Sequence, residues 1–244
     1  MPDSSRPVFW GMLALAVALV VAAAIGADAL RDVKRAGDTI DVKGSARLRV
    51  ASDHVVWRGS IDFFAVDLGA GMRNLVAHRG RVAGWLAAQG LADSLVAWRP
   101  PTQWAQMERG EQGQPTGRVL GYQLRQEFAV RGRDLDRVER AAAGVETLML
   151  EGLPLQPQPL EYTYTRLDEA RVALMGRATE DARQRAQQIA EAAGGAIGPI
   201  RSARMGVIQV VAPQSTNVSS MGVYDTTTRD KDVVAVVQAI FGVE

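Results

Sequence analysis

Apolar positions along this chain follow two periods, and the places where one gives way to the other mark its elements. The longest helical pattern is Thr165 to Gly195, where Leu167, Ala170, Leu174, Ala178, Ala182, Ala186, Ile189 and Ala193 recur every three or four residues. That spacing predicts one apolar face at 3.6 residues per turn. Thr165 stands as N-cap with Asp168 three residues on. Gly194 and Gly195 supply the stop, and Pro199 prevents continuation. The face is mostly alanine, so the helix can lie close to a sheet. Arg171, Arg177, Glu180, Asp181, Arg183 and Glu191 fall largely on the other side.

Period-2 stretches surround it. Asp38 to Val50 alternates through Ile40, Val42, Gly44, Ala46 and Leu48, and Val55 to Phe64 through Val55, Trp57, Ile61 and Phe63. With the Ala51-Ser52-Asp53 turn between them, they predict an antiparallel hairpin. Asp67 to Gln89 reads as a helix ended by Gly90. Strands follow near Ser94–Trp98 and at Gly121–Val130, divided by Pro100-Pro101 and a polar loop at Glu108–Gly117. Asp134 caps a short helix, Leu135–Ala143, closed by Gly144. Thr147–Leu150 reads as a strand, Leu153–Pro159 as a proline-bearing join, and Leu160–Tyr164 as a strand leading into the long helix. Beyond that helix come a strand at Ile200–Val211, a polar loop at Pro213–Lys231 and a continuously apolar strand at Val233–Val243. Pairs of strands separated by single helices predict an α+β protein, its sheet mainly antiparallel and its helices on one face.

The amino-terminal pattern is of another kind. Val8 to Ala27 is a run of twenty residues without a charge. As a helix it spans about 30 Å, the thickness of a bilayer's hydrocarbon core. Val8, Trp10, Leu13, Leu19 and Ile25 would face lipid, with Trp10 near one end where an aromatic anchor belongs. We read residues 1–30 as a retained transmembrane signal anchor and 38–243 as the body, two α+β halves joined near 153–159. Cleavage at Ala27-Asp28-Ala29, releasing the body, is the alternative. Arg31, Lys34 and Arg35 follow the run, and by the positive-inside rule they lean toward a cytoplasmic body.

Composition narrows the chemistry. Twenty-eight basic residues against 27 acidic ones leave a net charge of +1, which offers no basic footprint for nucleic acid. The absence of cysteine excludes disulfides, thiolate zinc sites and cysteine nucleophiles. His54 and His78 are the only imidazoles and do not form a ligand pair. Val218-Ser219-Ser220-Met221-Gly222 lacks the nucleophile elbow, and Gly69-Ala70-Gly71 lacks the rest of a phosphate loop. The helix carboxylates Asp168, Glu169, Glu180 and Asp181 are interleaved with arginines, as on a solvated face. No catalytic, cofactor or metal set emerges, and the expectation is a protein that is not an enzyme. Two stretches suit contact with a partner instead. Trp98, Trp104 and Met107 surround Pro100-Pro101, and Met221 and Tyr224 sit in the long polar loop. Aromatic residues and methionine are enriched at interface cores. Trp98, Trp104 and Met107 would equally serve to cover their own sheet.

Several motifs together resemble the SIMPL-domain family of YggE-like bacterial envelope proteins. Ile40-Asp41-Val42-Lys43-Gly44 followed by Ser52-Asp53 is similar to its opening, with Ser52 where the family has proline. Gly121-Tyr122 resembles the start of its central strand. The Ala178–Ala182–Ala186–Ala190 helix, with Asp181, Arg183, Arg185, Gly194 and Ile197-Gly198-Pro199-Ile200, resembles its long helix and following turn. The resemblance implies export to the envelope, a loose link to stress protection and homo-oligomeric assembly in some members, and it brings no catalytic residues. On this basis the body is expected in the periplasm, tethered to the bacterial inner membrane and acting by binding and self-association, against the lean of the flanking charges. The rivals are an envelope hydrolase using carboxylates and His54, and an accessory subunit docked on another membrane protein.

Overall fold

The computed structural model describes residues 18–20, 22–23, 37–215 and 222–244. The expected anchor falls almost wholly outside them. Of its named residues Leu19 alone is described, helical and exposed, whereas Val8, Trp10, Leu13 and Ile25 lie outside the described residues. Among the described residues no helix is long and apolar enough to cross a membrane.

The body contains β1 (Thr39–Ala51), β2 (His54–Ala65), α1 (Leu68–Ala88), β3 (Val96–Trp98), β4 (Thr102–Arg109), β5 (Pro115–Gly132), α2 (Leu135–Gly144) and α3 (Glu146–Leu150). It continues with β6 (Leu155–Pro157), β7 (Glu161–Thr163), α4 (Leu167–Ala192), β8 (Ile197–Met205), β9 (Gln209–Val211) and β10 (Asp230–Val243). The α+β class with mainly antiparallel sheets and one long helix is as the patterns predict. The chain divides into two compact units. One holds the chain up to Arg47, Ala170–Ile208 and Val234–Glu244; the other holds Leu48–Glu169 and Gln209–Val233.

In the larger unit β2 and β5 form the antiparallel centre of a six-stranded sheet, with β3 and β4 along the far side of β5 and β6 and β7 along the far side of β2. Alternation sends Val55, Trp57 and Ile61 of β2 and Leu124, Phe128 and Val130 of β5 to one face. There they pack with Leu75, Val82 and Leu86 of α1 and with Val138 and Ala141 of α2 in one core. Asp67 caps α1 by accepting from Ala70 N at 2.7 Å, and Asp134 caps α2 by accepting from Arg137 N at 3.1 Å. The stretch 153–159, expected to join two halves, lies inside this unit, with Leu153 and Leu155 buried in its core.

The other sheet orders β1, β10 and β8, with β9 also on β10. Val243 N donates to Asp38 O and Ser52 N to Arg229 O, so β1 and β10 run antiparallel. In the smaller unit, Val42, Ala239 and Phe241 of this sheet pack with Ala182 and Ala186 of α4. The buried row of α4 is Ala170, Leu174, Ala178, Ala182, Ala186 and Ala190, a step of four throughout. Such a row is inclined to the helix axis, so the contact line crosses the helix obliquely. Ile189, expected on the buried face, is 50% exposed for that reason.

Four further expectations are corrected. The β1–β2 hairpin does not exist, because the two strands belong to different sheets. The Ala51-Ser52-Asp53 turn is tied elsewhere: Ser52 N bonds Arg229 O at 2.9 Å and Asp53 N bonds Thr163 O at 3.1 Å. Thr147–Leu150 is helical. Of its side chains Leu148 is buried while Leu150 is 87% exposed, so a strand would gain no apolar face there. Ile200–Val211 is two strands, broken at Gly206-Val207-Ile208. Half of the Glu108–Gly117 loop is strand, and β4 and β5 meet at a turn closed by the Gly110 N bond to Gln114 O.

Candidate functional site

Four exposed apolar residues of the larger unit lie on the arm built by β4 and the first half of β5. Trp104, Met107, Val119 and Leu120 are each 44–48% exposed. The strand register is Thr102 with Arg125, Trp104 with Gln123, Gln106 with Gly121 and Met107 with Val119. On the other side of β5, Gln123 faces Phe64. Directly opposed residues share a face, so Phe64, Gln123 and Trp104 form one row across three strands. The row is cross-braced: Gln106 Nε2 donates to Gln123 Oε1 at 3.3 Å, and Gln123 Nε2 donates to Asp62. A Cβ at Gly121 would collide with the Phe64 ring and Ala65 O, so glycine here lets the ring lie on the strand. Trp104, Ala105, Gln106, Met107, Arg109 and Pro115 line a groove along the arm.

Trp98 stands apart from this group. It is partly buried on β3, its ring centroid is 5.3 Å from that of Phe128, and the Arg79 guanidinium lies 5.3 Å from its centre. Its position is that of a side chain covering its own core.

The polar loop is held by a network that sequence reasoning missed. Lys231, read as a loop residue, is fully buried on β10, and its Nζ donates to the backbone carbonyls of Asp225 and Thr228, both at 2.7 Å. The Asp225 carboxylate accepts from Thr227 N and Oγ1 and from Thr228 N and Oγ1. Burial would raise the Asp225 carboxyl, but these hydrogen bonds and the Lys231 ammonium outweigh it and hold the group far below the usual carboxylate range. Arg229 pairs with Asp136 at 2.5 Å and Glu139 at 3.3 Å, and Tyr162 Oη donates to Glu139 at 3.0 Å. Burial and the Glu139 carboxylate push the Tyr162 phenol up to about 12. Asp232 is also buried and takes Arg49 Nε at 2.5 Å and Gln214 N at 3.0 Å. The signal in the sequence was Asp-Lys-Asp directly before a continuously apolar strand, where charge is tolerated only if paired.

Tyr224, half exposed in this segment, bridges Val210 and turns its hydroxyl toward Tyr164 O at 3.4 Å. Met221 lies outside the described residues. Tyr224 and Trp104 do not share a surface. The loop is tied to β7, which pairs with β2 at His54–Val56, while Trp104 is in register with Phe64. Ten residues of strand separate these places, about 33 Å.

The remaining candidates are partly buried. His78 faces the edge of Phe63 at 5.4 Å, and burial first, then the Arg81 charge, lower its pKa. His54 pairs with Thr163 at the start of β2. Asp53 accepts from Thr165 N at 2.8 Å and Thr165 Oγ1 at 2.9 Å, so the expected N-cap residue is itself held by an aspartate. Asp181 accepts from Ser45 N at 2.8 Å and Arg185 Nε at 2.9 Å. Among the described residues no group of His, Cys, Asp and Glu is placed to hold a metal ion.

No curated protein matches the chain. The profile of the family described as SIMPL, protein of unknown function (DUF541), matches residues 40–241, most of the chain and nearly all of its described body. With its opening strand, central strand and long alanine-faced helix all inside that match, the chain belongs to the SIMPL family.

Proposed function

We propose that this SIMPL protein is anchored in the bacterial inner membrane by Val8–Ala27, holds its body in the periplasm, and acts there by binding and homo-oligomeric assembly rather than by catalysis, in protection of the envelope against stress. The observation that carries the reading is the β4–β5 arm, which leaves Trp104 half exposed on one face of the sheet and Met107, opposite Val119, half exposed on the other. Apolar side chains flanking an open strand edge suit contact with a partner. The uncharged run of twenty residues supports the anchor.

The test is light scattering of the full-length protein in detergent, together with alkaline extraction of the membranes that carry it. Assembly predicts a uniform mass of several chains and retention in the extracted membrane. A mass of one chain would dispose of self-association. Release by alkali would dispose of the anchor.

A further inference from the structure

We infer that β4 is the pairing edge of a two-fold interface in which two copies of this chain join their six-stranded sheets, strand against antiparallel strand. The inference deepens the proposed self-association, on which it rests, by assigning its surface.

An edge strand leaves a row of backbone donors and acceptors unpaired, and proteins ordinarily blunt such edges with proline, charge or a very short strand. Among the described residues the other edge strands are blunted. β1 carries Asp41, Lys43, Arg47 and Arg49; β8 carries Pro199, Arg201 and Arg204; β3, β6 and β7 have three residues each. β4 has eight residues, and from Thr102 to Met107 it has no charge and no proline. Bulges also protect edges, but the ladder irregularities beyond Gln106 place their extra residues, Leu120 first, on β5. The outer strand therefore keeps its regular alternation.

A second copy fits this edge. A two-fold axis perpendicular to the sheet brings residues of like parity into opposition. Centred on Ala105, it sets Trp104 against Gln106, Gln103 against Met107 and Thr102 against Glu108. No like charges meet, and a hydroxyl faces a carboxylate. Pro101 bounds the ladder at each end. The two Trp104 side chains become diagonal neighbours on one face, within reach of each other. Half-exposed Trp104 and Met107 would then each gain lateral neighbours from the second copy, Trp104 on one face of the joined sheet and Met107 on the other.

The chain has no cysteine, so one introduced thiol reports one contact. Opposed Cα atoms in an antiparallel pair are about 4.5–5.5 Å apart, within the disulfide range. Full-length Ala105→Cys in detergent is expected to form a disulfide-linked pair on mild oxidation, and Thr116→Cys, far from the axis, is not. Ala105→Lys should lower the scattering mass at least twofold, and mixing it with Ala105→Glu should restore the wild-type mass. Restoration also shows that both variants fold. A single-chain mass for the wild type overturns self-association and this interface with it. A wild-type oligomer that Ala105→Lys leaves unchanged overturns the β4 interface alone. So does loss of assembly that the mixture does not restore, or an equal yield of linked pairs from the two cysteine variants.

Discussion

Gly44 of β1 lies directly against Ala182 of α4: a Cβ built on the glycine would stand 2.7 Å from the alanine Cβ and would overlap the Ala178 carbonyl oxygen. Backbone meets backbone at this point, which is why the helix presents alanine at every fourth position there. Relief by rotamer change is closed off, because the obstruction includes main chain. We expect Gly44→Ala to cost about 3 kcal/mol and Gly44→Val more, as overpacking does where neighbours cannot yield. Thermal melts followed by circular dichroism check this, and an unchanged midpoint for Gly44→Ala would sink it.

Two tryptophans with opposite surroundings should respond oppositely. Trp57 is 1% exposed and packs edge-on against Phe128 with centroids 5.6 Å apart. Trp57→Ala should cost about 4 kcal/mol of stability. Trp104 is 47% exposed, and Trp104→Ala should cost under about 1 kcal/mol while weakening assembly. Comparing melting with light scattering for both variants separates the roles. A severely destabilised Trp104→Ala would contradict the assignment.

Asp225 gives the loop an acid limit. Its folded pKa is depressed, so its stabilising contribution is fully present above the ordinary carboxylate value of about 4 and is lost as pH falls through the folded value. The protection of amides in segment 222–232 against hydrogen exchange, relative to their intrinsic rates, should therefore fall below about pH 4. Asp225→Asn should show that loss of protection at neutral pH. Equal protection of the variant and wild type at neutral pH would refute the account.

At the alkaline end Tyr162 sets the corresponding limit. Its folded pKa is about 12, above the model-compound value, so its contribution is complete below about pH 10 and is lost as pH rises through 12. One of the four tyrosines should titrate late in an ultraviolet tyrosinate titration. Glu139→Gln should bring that step closer to the others. Four steps that coincide in the wild type would exclude it.

Burying Lys231 is tolerable because two carbonyls receive its ammonium. Lys231→Met keeps the volume but strips both acceptors of their donor, and we expect a loss of about 2 kcal/mol. Chemical denaturation monitored at the tryptophans measures it. A gain in stability would show that desolvation of the charge outweighs its bonds.

How far the sequence reading reached is visible in particular elements. The helix at Leu167–Ala192 was legible because its buried face repeats within its own residues, and the strand at Gly121–Val130 because alternation is likewise local. The hairpin expected of β1 and β2 failed because closeness in sequence does not choose partners. The Ser52 and Asp53 amides are taken by Arg229 and Thr163, far along the chain. Trp98 and Trp104 looked alike in sequence, and one covers the core while the other sits on an edge.

By itself, then, the sequence determined the class of fold, the family and most element positions, since periodicity and capping act over a few residues and are written where they act. Tertiary structure alone decided which strands pair, that Lys231 and Asp232 are buried, and that β4 lies at a sheet edge. Those outcomes depend on packing between segments distant in sequence, more than a hundred residues apart for Asp53 and Thr165, and no local pattern records the partner.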